Sequence, residues 1–155
     1  MLKSLDEDTQ KLKDKILSSL NLEKKRLVLS EKDRFVQAVI ARAQEEAAGF
    51  RASPDYPAFL EKAVLEGIAV IADSRIEVHY SSLDEKLINE GFIRKIEAAC
   101  AAGGKKQCAL KFHKADFQDI GVIVYSADGR MMFDNRFSAR LARMKDELYM
   151  NLLNE

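Results

Sequence analysis

The sequence predicts an α+β fold, a mixed α/β arrangement: a long amphipathic helix over residues 1–52, then a globular domain over 53–155 in which a small mixed sheet of about four strands packs with three helices. Three observations predict it. From Leu2 to Phe50 there is no proline, and the only glycine, Gly49, lies near the end of a stretch rich in strong helix formers. RIEVHY, Arg75 to Tyr80, alternates apolar with polar residues as a strand with one buried face does. Beyond residue 53 the periodicity then runs helix, strand, helix, strand, strand, strand, helix, an order that buries helices against a small sheet.

In the long helix, apolar positions recur at Leu5, Ile16, Leu27 and Ala38 and again at Leu17, Val28, Val39 and Phe50, two adjacent rows each spaced by eleven. Eleven residues over three turns is about 3.67 per turn, which keeps a seam straight or winds it right-handed, while a partial heptad, Leu5 and Leu12 with Val28 and Phe35, competes and would wind it left. A stripe this narrow cannot bury itself, so it requires a partner helix or the adjoining domain. Leu5, Ile16, Leu17, Leu27, Val28 and Val39 are the predicted seam for a coiled-coil partner, with a homodimer expected when no other partner is present. An arm folded back onto its own domain is the competing reading.

RASPDYP, Arg51 to Pro57, breaks the helix, because either proline fits a first turn but not both fit an interior. Tyr56, Phe59, Leu60, Ala63, Val64, Gly67, Ile68 and Ile71 then trace a buried helical face. Gly67 costs about 1 kcal/mol of helix propensity, which points to close approach of another element. After the Arg75–Tyr80 strand, Ser82 and Glu85 have capping-box spacing for a helix with apolar face Leu83, Leu87, Phe92, Ile96 and Cys100, ended by Gly103-Gly104. Strands follow from Gln107 to His113, Ile120 to Tyr125 and Arg130 to Phe133, the last two joined by a turn at SADG. A final helix from about Asn135 presents Phe137, Leu141, Met144, Leu148 and Leu152.

The 155 residues carry 25 basic and 25 acidic side chains, so no net field draws the chain to nucleic acid or an anionic membrane. No apolar run approaches the roughly 20 residues of a membrane span, and the polar MLKSLDEDTQKLKDK does not read as a signal peptide, which together predict a cytoplasmic chain. Cys100 and Cys108 lack metal or redox spacing and read as reduced packing residues.

Candidate chemistry is sparse. The charges Asp128, Arg130, Asp134 and Arg136 cluster in YSADGRMMFDNRF but read as a turn at Asp128-Gly129 and a helix cap at Asp134 or Asn135. Arg140 and Arg143 then fall at the rim of the last helix's apolar face. His79 and His113 fall on different strands with no spacing that joins either to a second ligand. GGKK, Gly103 to Lys106, is a short basic loop, and no phosphate-loop or nucleophile-elbow motif is present. The reading is no catalytic, cofactor-binding or metal-binding residue. An enzyme or ligand-binding domain with a dimerisation helix would instead require a polar pocket, for example one where His113, Asp116 and Asp119 meet.

Tyr56–Ile71, RIEVHYSSLDEKLI (Arg75 to Ile88) and Asp119–Leu153 resemble the E subunits of the archaeal and vacuolar-type rotary ATPases. The resemblance rests on Leu65-Glu66-Gly67 before a strand Ile76 to Val78, then Gly121, Asp128-Gly129-Arg130, Asn135 and Arg140-Leu141, an ordered set over about 100 residues. Ile120-Gly121 stands where that family usually has two glycines, Arg136 where it has threonine, and the N-terminal helix is shorter than is common. The resemblance implies a non-catalytic peripheral-stalk component whose helix pairs with the helical G subunit, or the H subunit in archaeal enzymes, as a right-handed coiled coil. It also implies a C-terminal domain seated on the head, chiefly on its B subunit, so that ion transport stays coupled to ATP synthesis or hydrolysis, with the membrane met only through the complex. A stator-like regulator of flagellar or type III secretion ATPases resembles the same family more distantly.

Overall fold

The computed structural model describes residues 1–104 and 108–154. Helix α1 spans Leu2–Phe50 and α2 Tyr56–Val70, followed by strand β1, Arg75–Ser81. Helix α3 is Glu90–Ala102, strands β2 to β4 are Ala109–Ala115, Val122–Ser126 and Met132–Asp134, and α4 is Phe137–Leu153. The architecture is therefore α+β, with a long N-terminal helix and a four-stranded mixed sheet. By internal contact the chain forms two compact units, one of Met1–Arg42 with Lys145–Glu155 and one of Ala43–Met144.

In the second unit the strands run in the order β2-β1-β3-β4, with β1 parallel to β2 and antiparallel to β3, and β3 antiparallel to β4. Alternation sets the faces. Ile76, Val78 and Tyr80 of β1 are buried beside Val122 and Val124 of β3, while Glu77, His79, Ile123 and Tyr125 look the other way, half-buried. The buried face meets α2 through Tyr56, Leu60, Ala63, Val64 and Ile68, and Ile96 and Cys100 of α3 complete this core. Phe50 joins it from α1, its ring edge-on to both Tyr56 and Phe59.

Two glycines let backbones close in. A Cβ on Gly67 would stand 2.3 Å from Val124 Cγ2, so the glycine is what allows α2 to lie directly on β3, as the helix-propensity cost suggests. Gly121 has φ +104°, and a Cβ there would stand 2.5 Å from the Asn135 carbonyl oxygen.

One local expectation fails. Ser82 and Glu85 form no capping box: Ser81 Oγ accepts from Leu83 N–H at 3.3 Å to open a 3₁₀ turn, Ser82–Asp84, and α3 starts only at Glu90, where Asn89 Oδ1 caps Phe92 N–H at 3.0 Å. The reason is Asp84, which turns inward and is fully buried, while Leu83 of the expected helical face is 57% exposed. The strand expected from Gln107 is β2, from Ala109 to Ala115, with Cys108 just outside it; Gln107 and the lysines of GGKK, Lys105 and Lys106, lie outside the described residues. Both cysteines are thiols, Cys100 buried and Cys108 half-buried.

Gly67→Ala is expected to lose stability despite better helix propensity. Overpacking costs about 1–3 kcal/mol, against about 1 kcal/mol gained by the alanine. Urea unfolding in the Val124→Ala background should show most of that loss removed, because the clashing methyl is gone. An equal loss in both backgrounds would rule out the Val124 contact as its cause.

Candidate partner-binding surface

As far as Phe35, helix α1 leaves its large apolar side chains in solvent. Of the predicted seam, Leu5, Ile16, Leu17, Leu27 and Val28 are 46% to 63% exposed, and Val39 is half-buried. Leu12, Leu20 and Phe35 are exposed as well. The stripe changes character near its middle: Val36 is fully buried, though it belongs to neither eleven-residue row. In this unit the end of α4 lies beside α1, where the Tyr149 hydroxyl donates to the Asp33 carboxylate and the Lys32 ammonium donates to the Leu152 carbonyl. The bond to Asp33 pushes the Tyr149 hydroxyl above its ordinary range, since it favours the protonated phenol. Leu27, Val28, Phe35 and Leu152 line an open, almost wholly apolar hollow of about 400 Å³. No helix among the described residues is long and apolar enough to cross a membrane.

The charged C-terminal stretch is held within its own unit. Asp128 Oδ1 accepts from Ser126 Oγ at 2.6 Å and Arg130 N–H at 3.0 Å, which fixes the hairpin turn and lowers the carboxyl below its usual range. Asp134 is lowered too, chiefly by its hydrogen bonds from Arg136, 2.6 Å from Nη2. The expected cap of α4 is shared: Asp134 Oδ1 accepts from the Arg136 N–H at 3.1 Å, at the entry to the helix. Asp119, from the loop before β3, accepts from Ser138 N–H at 3.0 Å, while Asn135 is buried and donates its amide to Ala63 O at 2.9 Å and to Glu66 at 3.1 Å. Arg140 lies over the Phe59 ring and 3.3 Å from Glu66, and Arg143 lies over Phe133 and donates to Asp134 O. These arginines join helix to helix and helix to sheet.

Sequence reasoning missed a buried ionic network. The Asp84 carboxylate, with no exposed surface, accepts from Arg51 Nε at 2.9 Å and from the Tyr56 hydroxyl at 2.8 Å. Arg51 also donates to Gln118 O and Asp119 O. Burial first, and the bond to Asp84 second, push the Tyr56 hydroxyl far up. The signal was available in Arg51 beside a buried helix start, but nothing local to SSLDEKL separates a cap from an inward-turning aspartate.

His79 and His113 are brought together by the parallel register of β1 with β2. Their rings lie 5.2 Å apart, His79 is 4.7 Å from Tyr125, and each Nε2 stands 3.8 Å from the same oxygen of Glu77. Asp119 instead spends its carboxylate on the N–H groups of Ile120 and Ser138, and Asp116 is exposed, so the pocket required of an enzyme is not formed by these residues. As the side chains stand, no three His, Cys, Asp or Glu among the described residues are set to hold a metal ion.

The sequence model of the ATP synthase (E/31 kDa) subunit family matches residues 3–154. Among individual relatives, the E subunit of the A-type ATP synthase of Methanococcus maripaludis is 24% identical over 143 residues, which cover 92% of this chain and 70% of that protein. The E 2 subunit of the A-type ATP synthase of Methanospirillum hungatei is 25% identical over 136 residues, covering 85% of this chain and 61% of its own length. The corresponding E subunit of Thermofilum pendens gives the same identity and coverage.

Replacing Arg51 by Met should cost about 3–5 kcal/mol, because it strands the Asp84 charge in the interior. Tyr56→Phe removes one donor to the same carboxylate and should cost about 1–3 kcal/mol. Denaturant unfolding measures both, and a smaller loss from Arg51→Met than from Tyr56→Phe would contradict the assignment of the ion pair as the main partner.

Proposed function

The chain belongs to the ATP synthase (E/31 kDa) subunit family, and from that premise we propose that it is a peripheral-stalk, or stator, component of an A-type rotary ATP synthase. The observation that carries the reading is the row of half-exposed leucines, isoleucine and valine on α1. Residues 1–52 form the stalk helix, and Leu5, Ile16, Leu17, Leu27, Val28 and Val39 form the seam that takes the helical G subunit, or the H subunit in archaeal enzymes. Residues 53–155 form the domain that seats against the head, chiefly its B subunit.

The work is mechanical. A stator resists rotor torque, so that ion flow through the membrane sector is spent on turning the catalytic cycle of the head rather than on turning the head itself. Such a role calls for stiffness and two secure attachments and for no reacting side chain, so the chain is non-catalytic. It sits on the cytoplasmic side, peripheral to the membrane and joined to it through the complex.

Mixing the chain with the G or H subunit from the same genome should give co-elution and a gain in helical circular dichroism. Ile16→Asp and Leu27→Asp should each weaken that pairing by tenfold or more, since a charge in an apolar seam goes unpaired. Absence of co-elution with the unsubstituted chain would refute the stator reading.

Alone at high concentration, the chain is expected to form a homodimer through the same seam, because an apolar stripe without its partner finds a second copy. Light scattering should give a mass that rises with concentration and returns to the monomer in the Leu27→Asp variant. A strict monomer throughout would remove the seam as a self-association surface.

A further inference from the structure

The side of the sheet turned away from α2 gathers two imidazoles and a carboxylate that the stator reading does not use. We propose that Glu77, His79 and His113 close on a divalent transition-metal ion of the zinc, nickel and copper class, bridging β1 to β2.

Three observations carry the proposal. Parallel pairing puts His79 directly opposite His113, and neighbouring strands stand about 4.8 Å apart, so both imidazoles rise side by side from one face. Both Nε2 atoms converge on one oxygen, each 3.8 Å from Glu77 Oε2. Donors bound tetrahedrally at about 2.0–2.1 Å from zinc stand roughly 3.3 Å apart, so each imidazole-to-Glu77 spacing is wider than a bound ion draws by only about half an ångström. The side chains can close that gap, since His79, His113 and Glu77 are 32%, 47% and 34% exposed. Tyr125, packed on His79 from β3, supports the ring from the side away from His113.

The donor set selects the ion. Two imidazoles and one carboxylate suit zinc, nickel and copper, whereas magnesium and calcium prefer oxygen ligands alone. Binding needs the Nε2 lone pair of each ring, with its proton on Nδ1. A bound ion would tie β2, an edge strand, to the centre of the sheet and raise the melting temperature with metal concentration.

The chain has two histidines, so every imidazole resonance reports on this site. Untagged full chain titrated with zinc near neutral pH should shift the ring protons of both histidines together and release heat at one ion per chain, with excess magnesium unable to reverse either effect. His113→Asn and His79→Asn should each weaken zinc binding by roughly tenfold or more, and Glu77→Gln by about tenfold. The proposal is overturned if millimolar zinc moves neither set of imidazole resonances, or if His113→Asn binds zinc as the parent does. Should a variant melt well below its parent without metal, the imidazole shifts of the unsubstituted chain alone decide the matter.

Discussion

Asp84 sets the constraint around which the Ala43–Met144 unit is organised. A carboxylate with no exposed surface is tolerable only when its charge is met, and here the Arg51 guanidinium and the Tyr56 hydroxyl meet it. Those partners come from the link that follows α1 and from the first residue of α2, so one buried charge fixes where one helix ends and the next begins. Arg51 carries the constraint further by donating to the carbonyl of Asp119, whose own carboxylate caps α4 at Ser138. One chain of polar contacts thus runs from the turn before α3 to the start of α4. Apolar burial alone is non-directional and would leave the entry angles of these helices open; hydrogen bonds of fixed geometry do not.

Much of this was legible because it is periodic. The full length of α1, the inward face of α2, the alternation of β1 and the succession of helices and strands all follow from repeats of 3.6 or 2 residues that any window of sequence displays. Gly67 was legible for a different reason: a helix that accepts a glycine in its interior needs the space, and Val124 is what fills it. The failures share a cause. Ser82 and Glu85 have the spacing of a cap, yet Asp84 between them is drawn inward by Arg51, 33 residues upstream, and the local signal loses to a long-range charge. Asp134 and Asn135 likewise look like caps; Asp134 does accept from the Arg136 N–H at the entry to α4, but the Ser138 N–H within its first turn goes to Asp119, and Asn135 turns to the α2 backbone. His79 and His113 became neighbours only through a strand register that their separation in sequence does not encode.

Within the candidate seam, the sequence located the apolar rows on α1 but not the point at which they stop facing solvent. The rows place Leu17, Val28, Val39 and Phe50 as equivalents. In the structure Leu17 and Val28 are exposed, Val39 is half-buried, and Phe50 belongs to the aromatic cluster with Tyr56 and Phe59. The expectation of an arm packed on its own chain describes the last turns of α1, and the exposed rows are the part for which a partner helix is proposed. An eleven-residue repeat records which side of a helix is apolar; it carries no mark of whether the neighbour comes from the same chain.

Magnitudes then bear on what such a seam can do. Leu5, Ile16, Leu17, Leu27 and Val28 are each about half exposed, so covering them gains on the order of 1 kcal/mol apiece, and a matching row on a partner doubles the sum to roughly 10 kcal/mol. Association costs an estimated 4–15 kcal/mol in lost freedom before any gain appears. A seam of this length is therefore marginal by itself, and on the stator reading its strength depends on being held at more than one place. Tethering at a second surface turns the pairing into an effectively intramolecular event, in which a marginal contact becomes a persistent one without any added interface. On the stator reading, the helix supplies reach, and a second attachment made by the internally cross-braced domain supplies the affinity that the narrow stripe lacks.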